Sequence, residues 1–469
     1  MKRAADRPMK APAILAAALL AALALAGGAG PRATTRPASG LERAGELVVR
    51  QMARSDFAAA TRTFDAKMKR ALGPDKLGGA WDALVASSGG FIDVIATRTE
   101  DLDRYTRVYV TCRFVRKNVD VQLVYNDRAQ VAGLWYLPAK AVVTAKPPEG
   151  IAETPAVVGG GRFPLPATLS LPAEADGVPG VVLVHGSGPR DRDGTVGANK
   201  PFRDLAWGLA RRGVAVVRYE KRTRIHGKEL AARAGGFTVR EETVDDAVAA
   251  AALLRATPGV DPARVFVLGH SFGGMLVGRI ARRDRHAAGF ILLAAANRRV
   301  EDALLEQTTY VYGLDGRIDE IEQVELRRIR AAARRIKDPA LSPRTRGLLL
   351  GAPAAYWLDL RGLDPPAEAR DVGRPMLILQ GGRDYQVTRK EFGAWKAALA
   401  QTPNVRFKLY PKLNHLFIEG AGKPSPAEYR LGGHVHEQVL DDIAAWIAAP
   451  RPARAPTSAP TTRGRPLRE

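Results

Sequence analysis

The stretch "RVFVLGHSFGGMLVG", residues 264–278, carries more information about the fold than any other part of the chain. An apolar strand-like segment runs into a serine between glycines, and an apolar helix-like segment follows. Gly269, Ser271 and Gly273 form the pattern G-x-S-x-G, in which small neighbours permit a sharp strand-to-helix turn. The helix start that follows favours developing negative charge. Ser271 is therefore a candidate nucleophile, although a small residue filling a tight turn would give the same local pattern.

Short apolar segments alternate with amphipathic ones on both sides of this stretch. Such alternation is typical of an α/β domain with a mostly parallel sheet, which we predict for residues 150–449. The interval 297–370 is too long for a simple crossover and contains Arg-rich helical segments, so we expect a helical cap insertion there. The predicted strands are "GVVLVHG", "VAVVRYE", "RVFVLGH", "GFILLAAA", "PMLILQGG" and "VRFKLYP".

A serine hydroxyl needs a base to become a nucleophile, and the base needs an acid to orient it. In this architecture the order along the chain is serine, acid, histidine. Asp384 follows the strand-like "PMLILQGG" and His415 follows "VRFKLYP", each in the expected order. His434 and His436, near the last helix, are the only serious competitors among the seven histidines.

Two backbone amides are expected to stabilise an oxyanion beside Ser271. One belongs to Phe272, the residue after the candidate nucleophile. The other is assigned to Ser187, with Gly188 next to it, in the loop "HGSGP". Taken alone, this loop could be a simple Gly/Pro turn. Because it occurs together with the serine, the acid and the histidine in the expected order along the chain, the oxyanion assignment is favoured.

Composition excludes several classes of function. The chain has 469 residues and one cysteine, Cys112, which excludes an intramolecular disulfide and makes a cysteine-based metal site implausible. We expect neither a metal nor another cofactor. The net charge of +22 lies partly in the two termini. No basic stripe with interleaved aromatic residues is present, so we expect no nucleic-acid partner.

The N-terminus has the three parts of a secretory signal. A basic start precedes the 16-residue apolar run "APAILAAALLAALALA", which ends in small residues. We predict a signal peptide over residues 1–26, a linker over 27–40 and export to the periplasm or the medium, without stable membrane insertion after cleavage. An uncleaved anchor is the alternative. The Pro- and Arg-rich residues 450–469 are predicted to be disordered.

Residues 41–145 form a separate unit in the sequence. Helical periodicity at its start gives way to strand-like segments such as "NVDVQLVYND", in which apolar and polar residues alternate. We predict a small α+β domain with an antiparallel sheet.

These residues together resemble the α/β-hydrolase superfamily. The resemblance rests on "VLVHGSGPRDRD", "GHSFGG", "YWLDLRG", "ILQGGRDYQVT" and "LNHLFIEG", and it is closest to esterase-like members with a small N-terminal domain of the nuclear-transport-factor-like shape. Related families include serine aminopeptidases and acyl-CoA thioester hydrolases. The resemblance implies a Ser-His-Asp triad, and Asp359 in "YWLDLRG" is interpreted as structural or pocket-shaping.

The predicted function is a serine hydrolase that cleaves small-molecule esters of short to medium acyl chains through an acyl-enzyme. An acyl-CoA thioesterase or a serine (amino)peptidase with the same triad is the enzymatic alternative. An exported, non-catalytic binding protein on a hydrolase fold is the alternative of another class. The sequence does not indicate the oligomeric state. Five apolar or aromatic residues of the predicted cap have two possible roles: they line an apolar acyl pocket, or they pack the cap onto the core. They are Leu304, Leu305, Tyr310, Tyr312 and Leu314.

Overall fold

The computed structural model describes residues 40–102, 105–114, 117–139, 147–233 and 235–449. The predicted signal peptide, nearly all of the linker and the predicted C-terminal tail lie outside these residues. Within the described residues, no helix is both long enough and apolar enough to cross a membrane.

The first unit is a four-stranded antiparallel sheet covered by helices. The strands β1 to β4 follow one another in space as they do in the sequence, and each pairs with the next. The predicted α+β organisation with an antiparallel sheet is confirmed. The helical part predicted at its start consists of four separate helices. The elements are α1 (Gly40–Ala53), α2 (Phe57–Ala60), α3 (Ala66–Ala71), α4 (Pro74–Ser88), β1 (Phe91–Leu102), β2 (Tyr105–Phe114), β3 (Asn118–Tyr125) and β4 (Val131–Pro138).

The second unit is built on an eight-stranded sheet in the order β12-β11-β10-β9-β7-β8-β6-β5. The six strands from β12 to β8 are parallel, and β6 and β5 extend the sheet in antiparallel pairing. The predicted mostly parallel α/β sheet is confirmed. Its strands are β5 (Ile151–Val158), β6 (Leu165–Pro172), β7 (Val178–Val184), β8 (Ala215–Tyr219), β9 (Val260–His270), β10 (Phe290–Leu293), β11 (Met376–Gly381) and β12 (Val405–Tyr410).

Helices cover both faces of this sheet, and the apolar side chains beneath them form two large buried clusters. Four helices, α10 to α13, lie between β10 and β11, in the interval where the cap was predicted. The helices are α5 (Pro201–Ala210), α6 (Arg222–Ala232), α7 (Asp245–Arg255), α8 (Phe272–Met275), α9 (Val277–Arg283), α10 (Val300–Tyr312), α11 (Glu320–Lys337), α12 (Ala354–Leu360), α13 (Pro365–Arg370), α14 (Arg389–Ala398) and α15 (Glu437–Ala448).

Ion pairs join the two units. Glu220, directly after β8, accepts from Arg113 of β2 at 3.3 Å. Arg224 of α6 contacts the Asp93 carboxylate of β1 at 3.0 Å. The N-terminal unit is therefore connected to the segment that follows β8.

Candidate active site

Ser271 lies at the junction between β9 and α8 in a backbone conformation that L-residues rarely adopt. Its φ is 55° and its ψ is −117°, and strain of this kind is found preferentially at functional sites. The neighbouring glycines make the turn possible. A Cβ on Gly269 would lie 2.5 Å from the carbonyl oxygen of Gly273, and one on Gly273 would lie 2.5 Å from the carbonyl oxygen of Val184. No larger residue fits either position without movement of the backbone.

Asp384 and His415 are in direct contact. Nδ1 of His415 lies 2.6 Å from Oδ2 of Asp384. The other carboxylate oxygen accepts from the backbone amides of Gln386 and Val387 at 2.8 and 2.9 Å, and Gln380 donates to Oδ2 at 3.2 Å. The carboxylate is thus held in place from several sides, and it fixes the orientation of the imidazole.

The three predicted residues lie at one edge of the sheet because they follow strands that run parallel to one another. Ser271 follows β9, Asp384 follows β11 and His415 follows β12, all at the carboxyl edge. His270 joins two of these segments, since its Nε2 lies 2.9 Å from the carbonyl oxygen of His415 and the two imidazole rings are 4.6 Å apart. Within the described residues Ser271 Oγ forms no hydrogen bond.

His270 is neutral in this environment. Burial, together with the neighbouring His415, lowers the pKa of His270 well below its usual value. The ring therefore links the turn of Ser271 to His415 without adding a positive charge beside the latter.

The loop after β7 brings a second backbone segment to Ser271. A Cβ on Gly186 would lie 3.2 Å from Cβ of Ser271, so the loop passes directly over the candidate nucleophile. The amides of Ser187 and Phe272 donate no hydrogen bond to any group in the described part of the chain. Two unpaired amides beside a serine are what an oxyanion-binding site requires.

Lys221 donates hydrogen bonds to this loop at two points. Its Nζ donates to the carbonyl oxygen of Gly186 at 2.9 Å, and its backbone amide donates to the carbonyl oxygen of Arg190 at 3.0 Å. The side chain is fully enclosed and lies 3.4 Å from the carboxylate of Glu242. Burial lowers the pKa of Lys221.

Glu242 is the centre of a buried polar cluster under the loop. Besides Lys221, it accepts from Thr223 Oγ1 at 2.7 Å and from the Tyr356 hydroxyl of α12 at 3.2 Å. The Tyr356 ring stacks on Phe272 with centroids 6.3 Å apart. This cluster connects α12, the loop after β7 and the residue after Ser271.

Residues 45–134 match a family described as a protein of unknown function (DUF3887). Est1E from Butyrivibrio proteoclasticus is similar in structure with a TM-score of 0.40 and 16% identity, covering 63% of this chain and 99% of its own. The esterase domain of a Rhodothermus marinus protein has a TM-score of 0.37 and 18% identity, over 63% and 97% of the two chains.

Residues 181–462 match the model of the alpha/beta hydrolase family. Esterase EstD of Thermotoga maritima is 34% identical over 407 residues, which are 86% of this chain and 94% of that protein. The chain belongs to the alpha/beta hydrolase family. The expected resemblance is therefore confirmed, and so is the assignment of the chain to the hydrolase enzymes.

The remaining histidines that competed for the role of base lie elsewhere in the hydrolase. His434 is exposed and contacts Asp204 at 3.2 Å. His436 precedes α15 and accepts from the amide of Gln438. In the described part of the chain, neither side chain forms a hydrogen bond with Asp384. In the described residues no group of three or more His, Cys, Asp or Glu side chains is arranged to hold a metal ion.

Asp359 links two helices of the hydrolase. Its carboxylate accepts from Arg279 of α9 at 3.0 Å and from the backbone amide of Arg240 at 2.9 Å. These contacts tie the cap helix α12 to the body of the domain.

A pocket of about 530 Å³ opens beside the candidate acid of the hydrolase. Asp384, Tyr385 and Tyr310 line it, whereas Ser271 and His415 do not. Tyr310 stacks on Tyr385 with ring centroids 5.3 Å apart. Of the cap residues proposed for an acyl pocket, only Tyr310 lines this space, while Leu304 packs into the main apolar cluster.

Sequence reasoning missed Lys221, Glu242 and Arg190. The available signal was a charged pair, Glu220 and Lys221, immediately after the buried strand β8, at the sheet edge that carries Ser271. Charged residues at the carboxyl end of a buried parallel strand are candidates for a site rather than for a solvated surface.

Proposed function

We propose that this hydrolase cleaves carboxylic esters through Ser271, His415 and Asp384. The observation that carries the proposal is the 2.6 Å contact between His415 Nδ1 and Asp384 Oδ2 at the sheet edge where Ser271 occupies its strained turn. The similarity to a protein named Esterase EstD supports esters as the substrate class.

In the proposed reaction, Ser271 Oγ attacks the ester carbonyl while Nε2 of His415 takes the hydroxyl proton. Asp384 keeps the other nitrogen, Nδ1, protonated and stabilises the imidazolium that forms. The amides of Phe272 and Ser187 donate to the oxyanion of the tetrahedral intermediate. The alcohol leaves with the proton from His415, and the acyl group stays on Ser271.

Deacylation repeats these steps with water. His415 accepts a proton from water, hydroxide adds to the acyl-enzyme, and the carboxylic acid leaves as Ser271 recovers its proton. We further propose that the acyl groups are of short to medium length, which the following series of esters tests.

The proposal is tested with 4-nitrophenyl acetate, butyrate and octanoate and with an aminoacyl-4-nitroanilide. The unmodified protein and Ser271→Ala are compared, and circular dichroism checks that both are folded. We expect ester hydrolysis that the variant loses by at least about 10⁴-fold. Cleavage of the anilide alone would contradict an esterase and favour a peptidase, whereas full ester hydrolysis by Ser271→Ala would contradict the assignment of the nucleophile.

A further inference from the structure

Arg190 stands out among the arginines near the site because its side chain forms no ion pair within the part of the chain that the structure describes. Nε donates to the carbonyl oxygen of Ser187 at 3.0 Å. In the described ranges the two terminal nitrogens form no hydrogen bond, and the side chain forms no ion pair. The residue is half-buried, so its side chain is partly accessible to solvent.

The arginines near Arg190 form ion pairs with carboxylates. Arg192, two residues along the same loop, contacts Glu220 at 2.9 Å. Arg224 contacts both Asp93 and Glu220, at 3.0 and 3.1 Å. The cations that surround the oxyanion loop are thus neutralised by specific carboxylates, and Arg190 differs from them in this respect.

The bond to Ser187 keeps the guanidinium next to the loop that passes over the candidate nucleophile. Ser187 carries one of the unpaired amides, and the preceding residue, Gly186, packs against Ser271. The charge of Arg190 also acts on the His270 imidazole, where it contributes to the lowered pKa behind the larger effects of burial and His415. Burial lowers the pKa of Arg190 itself, and the nearby Asp191 offsets this in part.

We propose that Arg190 binds a carboxylate of the substrate, so that the preferred substrates are esters carrying a free carboxylate on the acyl or the alcohol part. The two terminal nitrogens of an arginine match the two oxygens of a carboxylate. A part-buried cation without a counter-ion gains more from such a bond than a solvated one does. This proposal rests on the proposed ester hydrolysis at Ser271.

The test compares anionic esters with neutral ones of similar size. On the acyl side, 4-nitrophenyl hydrogen adipate is paired with 4-nitrophenyl heptanoate. On the alcohol side, 4-acetoxybenzoate is paired with its methyl ester. The readout is the kcat/KM value of the anionic ester divided by that of the neutral ester in each pair. A general loss of activity lowers both values by the same factor and therefore leaves this ratio unchanged.

In Arg190→Gln we expect the ratio to fall by about 10- to 100-fold in at least one pair, the size of a lost charge-assisted hydrogen bond. Arg190→Lys keeps the charge and should retain part of the preference. Arg192→Gln, the matched control on the same loop, should leave both ratios as they are in the unmodified protein.

Unchanged ratios in Arg190→Gln for both pairs would overturn the proposal and leave Arg190 as a residue that only supports the Ser187 carbonyl. That result differs from a failure of the proposed function, in which the unmodified protein would hydrolyse none of the four esters.

Discussion

Nζ of Lys221 donates a hydrogen bond of 2.9 Å to the carbonyl oxygen of Gly186, and this bond ties the oxyanion loop to the segment after β8. The loop is held again at Arg190 by the backbone amide of Lys221. Because the amide of Ser187 lies between these two points, its direction depends on a buried lysine that does not belong to the proposed triad.

Lys221→Met is expected to lower kcat by about 10²-fold, because removing support from one donor affects oxyanion binding in the transition state. It should also lower the free energy of unfolding by about 3–5 kcal/mol, since Glu242 is left as a buried charge without its cation. The measurements are ester kinetics and urea unfolding.

The double variant Lys221→Met/Glu242→Gln separates the two effects. It removes the uncompensated carboxylate and should recover part of the stability, while kcat stays low. Recovery of kcat together with stability would mean that Lys221 acts only on folding.

Asp384→Asn is expected to lower kcat by about 10⁴-fold while the protein stays folded. An amide donates where the carboxylate accepts, so it favours the wrong tautomer of His415. Asp359→Asn is the matched control, because this carboxylate links α12 to α9 without touching His415. Ester kinetics on both variants checks the prediction, and a similar loss in both would argue against the assignment of Asp384.

Gly273→Ala is expected to lower the free energy of unfolding by about 1–3 kcal/mol, the usual cost of overpacking. Its Cβ would lie 2.5 Å from the carbonyl oxygen of Val184, so α8 would have to move away from β7, and the Phe272 amide would move with it. We therefore also expect a lower kcat.

Gly393→Ala provides the comparison for this variant in urea unfolding. Gly393 lies inside α14 with no atom within 4 Å of an added Cβ, and alanine should stabilise the helix there by about 0.5–1 kcal/mol. Equal effects of the two substitutions would show that space at Gly273 is not limiting.

The pH dependence of stability should contain a contribution from His185. Burial, followed by the charge of Lys221, lowers the pKa of His185 to about 3. In the unfolded chain the same group titrates near about 6.5. The unfolded state therefore takes up a proton first, and stability present above pH 6.5 is lost as the pH falls toward 3.

Between pH 7 and pH 5 this group should cost about 2 kcal/mol of unfolding free energy. The measurement is urea unfolding at both pH values, in which His185→Gln should lose less stability than the unmodified protein. His286→Gln, at an exposed position, should behave as the unmodified protein does. An unchanged pH dependence in His185→Gln would contradict the prediction.

Residues that directly follow a buried strand could be predicted from the sequence. Ser271, Asp384 and His415 each come after an apolar run with turn-forming neighbours, and parallel strands carry such residues to one edge. The positions of these three residues at this edge therefore follow from the local sequence patterns and from the order of the segments along the chain.

The edge strand β5 was not predicted, and the reason is physical. β5 contains polar residues and a proline, and only Ile151 and Val158 at its two ends are buried. An edge strand with one exposed face has no continuous apolar run, and proline is tolerated there. The pattern therefore did not indicate a strand.

Lys221 and Glu242 could not be predicted as a buried pair. Their burial depends on the cap helix α12, whose Tyr356 donates to Glu242 across 114 residues of sequence. In the sequence Glu242 looks like an ordinary surface charge, and the position of Lys221 after β8 does not reveal which carboxylate it contacts. Long-range packing of this kind has no local signature.

Labelling with a fluorophosphonate, followed by intact-mass measurement and peptide mapping, tests the central claim most directly. We predict one adduct per chain, located on Ser271, with parallel loss of ester hydrolysis, and no adduct in Ser271→Ala. An adduct on a different residue, or full ester hydrolysis by a protein that takes up no label, would contradict the proposed nucleophile.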